Sequence, residues 1–297
     1  MSESCKQEYP TNWEELTELL WNFHRSGFGE DPSIYAFRGE SEEFPSCYPN
    51  IDRLFHPDDD DFKPRLNDET FLQKRLETER RLVNLFYRKA TLLLSLGEQR
   101  MVSQLGFDCQ AVMRHFGAPT RLLDWTHSPW VALYFACECA DRKDTKCARI
   151  RVFDYKQLEK QMEDNYGDAI RSLSTIERRA DGRAIATFYS SLIESCDLKN
   201  IGNWVCGSDI QGPMFPRLVA QQGIFTFASK PFIDHWKTIC DMLKDIKDAT
   251  TEILIPPDLK QEVIRRLVTM GIDGFSIFPD IEGVARSLIN DVRSRVT

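Results

Sequence analysis

The sequence predicts one α+β domain in which helices pack around a central sheet. Three observations support this. Strand-like and helix-like segments follow one another without the strict alternation of a doubly wound parallel sheet. No internal repeat or linker divides the chain. Its 297 residues, 42% hydrophobic and 28% charged, are enough for a sizeable core in an ordinary globular protein.

The elements follow in order. Residues 12–26 place Trp13, Leu16, Leu19, Leu20 and Phe23 at helical spacing, with Thr11 or Asn12 as cap. This N-terminal helix (residues 1–30) is expected to pack on a core domain of residues 31–297. Ile34 to Gly39 alternates like a short strand and ends at a glycine, where the backbone bends cheaply. Residues 42–68, with several prolines and the acidic run Asp58 to Asp61, read as an irregular loop. A long amphipathic helix spans 69–95, with Phe71, Leu72, Leu76, Leu82, Val83, Phe86 and Tyr87 on its buried stripe and Glu77, Glu79, Arg80 and Arg81 mostly outside.

Asp108 to Phe116 reads as a helix, followed by a Gly-Ala-Pro turn and a strand from Arg121 to Trp125. Ser128-Pro129 then opens a helix: serine caps free N–H groups, and proline suits a first turn. Its body is apolar nearly all round, as in a buried central helix. Strands are expected at Ala148–Tyr155, Gly223–Ala228, 251–257 and Phe275–Phe278, and helices at 258–270 and 283–294. Residues 156–212 are polar and helical without a clear order.

Composition narrows the function. A formal charge of −8 argues against broad, non-specific adhesion to nucleic acid or anionic membrane. There is no basic N-terminal segment leading into an apolar core and no long apolar run, so neither secretion nor membrane spanning is expected. Nine irregularly spaced cysteines, without a Cys-x-x-Cys pair, read as free thiols of a cytoplasmic protein. No metal site is expected at Cys137, Cys139 and Cys147, because on a helix the first two point to different sides.

The chemistry concentrates in residues 110–137, where His115, Thr120, Arg121, Asp124, Thr126, His127 and Ser128 lie between core-like runs. Each such group costs roughly 1–3 kcal/mol if it is buried without a partner. They are therefore either mutually satisfied or line a site. Phe37-Arg38-Gly39, the long helix with Glu79 and Phe86, His-Phe-Gly-Ala-Pro-Thr-Arg-Leu-Leu-Asp-Trp-Thr (115–126) and Ser-Pro-Trp-Val-Ala-Leu-Tyr-Phe-Ala (128–136) together resemble the FRG-domain family. The match is densest over 34–140. Ala220 to Phe225 and Phe278-Pro279-Asp280 extend it more weakly.

The layout is also similar to the ADP-ribosyltransferase superfamily, which implies a split, mixed sheet and NAD as substrate. The resemblance places Arg38 on the first core strand, Thr126 and Ser128 on the strand entering the next helix, and Val131 to Ala136 in that helix. It implies Arg38, Thr126 and Gln222 as catalytic positions. Ligand contacts would come from Arg38, Gly39, His115, Thr120, Arg121, Asp124, Trp125, Thr126, Ser128 and Gln221. It further implies a macromolecular acceptor and a role in microbial conflict, as a toxin or phage-defence effector. The sequence departs from that superfamily at the strand opening with Gly223, where Gln221 and Gln222 stand in place of Glu-x-Glu. Glu252 lies on a strand that comes too late.

The residues leave alternatives open. Arg38 has the planar fork that suits phosphate oxygens, or it is a structural arginine bridging strand and loop, for instance to Asp124. Ser128 is a ribose donor, a helix cap, or both. His115 is an acid or base near neutral pH, or a histidine bonded to a helix-end carbonyl. Asp124 braces Arg38 or His115. A glutamine cannot act as a general base but can orient a ribose hydroxyl. Three functions follow: an NAD-cleaving ADP-ribosyltransferase-like enzyme, a non-catalytic nucleotide- or partner-binding module on the same fold, and a hydrolase using His115 with Asp124.

Overall fold

The computed structural model describes residues 5–25, 34–56, 65, 68–102, 107–140, 145–173, 202–208 and 216–296. The acidic run Asp58 to Asp61 and most of residues 156–212 lie outside them. Within the described residues, seven strands form one mixed, open sheet packed by twelve helices, as the α+β pattern predicts.

The strands are β1 (Lys6–Glu8), β2 (Tyr35–Glu40), β3 (Leu123–Thr126), β4 (Ala148–Asp154), β5 (Val205–Ser208), β6 (Gly223–Ala228) and β7 (Thr250–Ile255). Their order is β1-β7-β4-β2-β3-β6-β5, and only β1 and β7 run parallel. Pairing is unequal across the sheet. β2 and β4 match from Tyr35↔Asp154 to Glu40↔Arg149, and β3 and β6 from Leu123↔Thr226 to Thr126↔Gly223. β2 and β3 share one matched position, Phe37↔Thr126. The sheet therefore divides at its centre into two diverging halves.

Helix α6 (Pro129–Cys137) crosses this division. Ser128 caps it, its hydroxyl accepting from Val131 N at 3.3 Å, with Pro129 in the first turn. The helix is apolar because it is buried against the sheet, where Ala132, Leu133 and Ala136 join Phe37, Ile150 and Ile253. Helix α1 (Trp13–Arg25) inserts Leu16 and Leu20 into the same cluster. Alternation along β2 sends Phe37 and Gly39 toward α6 and Ala36, Arg38 and Glu40 to the other face. Gly39 has no room for a side chain: a Cβ there would stand 1.9 Å from Ala132 O and 2.7 Å from Ala136 N.

Helix α2 (Asn50–Arg53) bonds to the segment before β3, and α3 (Glu69–Ala90), α4 (Leu96–Val102) and α5 (Phe107–His115) pack against β6. Later come α7 (Tyr155–Leu173), α8 (Pro216–Ala220), α9 (His235–Leu243), α10 (Pro257–Thr269), α11 (Gly274–Ile277) and α12 (Ile281–Val296).

Three expectations are corrected. Glu79 is not on a solvent face: it is 1% exposed at the centre of α3's buried side. The strand expected from Arg121 begins at Leu123, because Arg121 is held by α3 and α5 instead. The strand expected at Phe275–Phe278 is a helical turn. Asp273 accepts from Ser276 N, Ser276 Oγ accepts from Asp273 N, and this reciprocal cap overrides a short apolar run.

Candidate functional site

A cleft of about 890 Å³ opens where the sheet divides, within the size range of small-molecule pockets. Its walls come from β2, β3, α5, the end of α6, α8 and the α11–α12 turn. They carry Arg38, Arg114, Arg217, Glu40, Asp124 and Asp280 among their charged groups.

Arg38 bridges the two half-sheets. Its Nη1 donates to the Asp124 carbonyl at 2.9 Å and its Nε to Glu40 Oε1 at 3.3 Å, while Nη2 makes no hydrogen bond among the described residues. Glu40 is strongly committed. Its carboxylate accepts from Arg149 Nη2 at 2.8 Å and Arg151 Nη1 at 3.1 Å, and both arginines also pair with Glu252. Glu252 thus belongs to a buried charge ladder across β2, β4 and β7.

Asp124 carries the sequence's proposed brace, with different partners. Its carboxylate accepts from Arg114 Nε at 2.8 Å and also binds Arg114 Nη2. Desolvation alone would raise its pKa, but Arg114 and then Arg38 hold it below the ordinary carboxylate value. Both Asp124 oxygens face Arg114, so the His115–Asp124 acid/base pair is not formed. His115 lines the cleft with its ring edge-on to Phe116, and burial, then Arg217, lowers its pKa.

At the other end of the cleft, Arg217 Nη2 donates to Asp280 Oδ2 at 2.5 Å and Glu282 Oε2 at 2.8 Å. Arg286 holds Glu138 at 2.6 Å and Glu282 at 2.8 Å. Both guanidiniums lie over the Phe278 ring, at 4.8 and 4.2 Å from its centroid. The sequence reading missed Arg114, Arg217 and Glu40 as cleft groups. For Glu40 a signal existed, since it stands two residues from Arg38 on the same strand face.

The other expected site residues separate into two groups. Trp125, Thr126 and Gln221 line the cleft, along with Gly39. Trp125 is fixed by its Nε1 donating to Thr226 Oγ1 at 2.8 Å. Thr126 Oγ1 donates to Gln221 O at 2.6 Å and accepts from Ser128 N at 2.9 Å, so its hydroxyl is already used at the strand-to-helix junction. Gln221 Nε2 reaches Ile277 O at 3.4 Å.

Thr120, Arg121, Ser128 and Gln222 are not part of the cleft wall. Arg121 is fully buried, its Nη2 2.7 Å from Glu79, which also binds Arg75 and Gln110. These opposite charges and hydrogen bonds overcome desolvation and bring Glu79 down to about 2. Thr120 is 1% exposed with its hydroxyl unpartnered among the described residues, and its N–H goes to Asn50 Oδ1. Ser128 serves as the α6 cap. Gln222 occupies a left-handed turn at φ 44°, where its carbonyl accepts from His127 N.

Comparison with known proteins gives one assignment: residues 33–145 match an FRG domain. It includes the Arg38 strand, the buried Glu79–Arg121 network, the Asp124–Thr126 strand and α6. No match was found among curated proteins or among solved structures. No described helix is long and apolar enough to cross a membrane, and the described residues hold no cluster of three or more His, Cys, Asp or Glu placed to bind a metal ion.

Proposed function

We propose that the cleft is a nucleotide-binding site, with NAD as the reference ligand, and that the chain holds this ligand without turning it over. The observation that carries the reading is the state of its polar groups. Arg38 keeps a guanidinium nitrogen available in the cleft. The Thr126 hydroxyl and the Glu40 and Asp124 carboxylates are each already bonded within the protein. Groups arranged this way can recognise an anion, but they leave none of these three available as a general base. The charge distribution also suits NAD. Its phosphates match the arginine side, and its cationic nicotinamide ring matches the other end, where Glu138, Asp280 and Glu282 outnumber Arg217 and Arg286 by one charge.

A second reading, an ADP-ribosyltransferase-like enzyme, is favoured by those same carboxylates. Asp280 and Glu282 would supply, from the end of the chain, the acid missing at Gln221 and Gln222. In that reaction the bond between the nicotinamide nitrogen and the ribose carbon breaks and its electron pair leaves with nicotinamide. Water or an acceptor nucleophile then bonds to the ribose carbon and loses a proton.

Calorimetry with NAD and ADP-ribose, run beside an assay for released nicotinamide, tests both. Binding of both ligands without nicotinamide release is the expected result. Release that is abolished by Arg38→Ala and reduced by Asp280→Asn selects the enzyme. Absence of binding to either ligand overturns the nucleotide assignment.

A further inference from the structure

Three leucines stand almost wholly in solvent on one turn, between α3 and α4. Leu92, Leu93 and Leu96 are 93%, 87% and 76% exposed, whereas Leu94 among them is buried with Val83, Met101 and Val102. Single exposed apolar side chains are ordinary, but three large ones within five positions mark a contact surface.

The turn is held in this form by its own bonds. Thr91 N donates to Tyr87 O and Leu93 N to Ala90 O at 2.7 Å, which closes the end of α3. Ser95 and Glu98 then cap α4 reciprocally: Ser95 N donates to Glu98 Oε2 at 2.7 Å and Glu98 N to Ser95 Oγ at 3.4 Å. Gln99 Nε2 donates to the Leu94 carbonyl at 2.8 Å. With Leu94 anchored in the core and both helix ends closed, the other three leucines are presented outward by a built turn.

Local charge identifies what meets them. The chain as a whole carries −8, yet residues 80–102 hold five basic residues against one acid, Glu98, whose carboxylate is occupied by the α4 cap. Arg88 and Lys89, in the last turn of α3, are exposed, as is Arg100 on α4. Leucines at a tip with cations one helical turn behind them match an anionic bilayer. The apolar side chains enter the acyl boundary while the charged heads stay at the level of the phosphates. An apolar groove on a protein would take the leucines but gives the basic collar no role.

We propose that this turn docks the protein on an anionic lipid surface, with Leu92, Leu93 and Leu96 in the bilayer interface and Arg88 and Lys89 against the headgroups. The net negative charge holds the other faces away, so the attachment is oriented and differs from the broad adhesion that the composition argues against. It stands independently of the nucleotide reading of the cleft.

Vesicle flotation of the full chain tests it, with vesicles of phosphatidylcholine alone and of equimolar phosphatidylcholine and phosphatidylserine. Wild type is compared with the double variants Leu92→Ser/Leu93→Ser and Arg88→Gln/Lys89→Gln, and thermal unfolding controls for folding. Wild type is expected to float with the mixed vesicles and to be released by high salt. The leucine variant is expected to lose flotation, and the charge variant to bind the mixed vesicles about tenfold more weakly. No flotation of wild type, or equal flotation of wild type and the leucine variant, overturns the proposal. Equal flotation on both vesicle types, unaffected by the charge variant, overturns the anionic-lipid assignment. Self-association in sedimentation velocity that the leucine variant abolishes, without any flotation, assigns the turn to a protein contact and overturns lipid docking.

Discussion

Arg38 and Arg121 look alike in the sequence, each a single arginine within a motif rich in polar groups. Their side chains have opposite fates. Arg38 reaches across the division of the sheet with one nitrogen to spare, whereas Arg121 is enclosed by Glu79, Gln110 and the Ala228 carbonyl. What decides between them is Glu79, a residue whose helical position suggested a solvated face. Gly39 is constrained more simply. Its neighbour in space is the backbone of α6, and a methyl group there would overlap Ala132 O. Gly39→Ala is therefore expected to cost roughly 3 kcal/mol or more, read as a lowered midpoint in urea unfolding. A loss below about 1 kcal/mol would show that α6 yields easily and that the glycine answers to something else.

Among the elements, α6 was the most legible. Its Ser-Pro start and continuous apolar body predict a capped, buried helix, because both signals act within a few residues. The same locality accounts for the Ser128 cap but not for Thr126, whose hydroxyl reaches a carbonyl 95 residues away. Both hydroxyls complete the junction between β3 and α6, Thr126 donating to Gln221 O and Ser128 accepting from Val131 N. Ser128→Ala should destabilise the protein by about 1 kcal/mol. Ser128→Asp, which restores a cap acceptor, should recover most of that in the same unfolding measurement. Loss of ligand binding by Ser128→Ala with stability unchanged would instead return Ser128 to the site. The α11 turn shows the reverse case: an apolar run looks like a strand until Asp273 and Ser276 are recognised as a reciprocal cap.

At the scale of the whole molecule, buried titratable groups tie stability to pH. Glu79 falls from its ordinary 4.5 to about 2 in the folded protein. Its contribution is present above pH 4.5 and disappears as pH drops toward 2, on the order of 3 kcal/mol by linkage. His235 also moves down, from 6.5 to about 3, because it is completely buried and lies near Arg38 and Arg121. Thr226 Oγ1 accepts from Trp125 Nε1 and lies 2.8 Å from His235 Nδ1, while His235 Nε2 is buried without a hydrogen-bond partner among the described residues. Below pH 6.5 the unfolded chain takes up the histidine proton while the folded one does not, so stability declines from there toward pH 3. Wild type should hold a plateau above about pH 6.5, and His235→Gln should shrink the loss of stability between 6.5 and 4.5, a window in which the lowered His115 also contributes. An unchanged loss over that window in the variant would remove His235 from the account.

Local chemistry let the sequence determine the α+β class, about half of the helix starts, the Arg38 strand and α6, since caps, turns and periodicity act over a few residues. Only the tertiary structure decided which polar residues meet. The division between β2 and β3, the enclosure of Arg121 by Glu79 and the meeting of Arg38 and Arg114 at Asp124 join positions that are far apart in the chain. Attraction between charges depends on distance in space, and sequence separation sets no such distance.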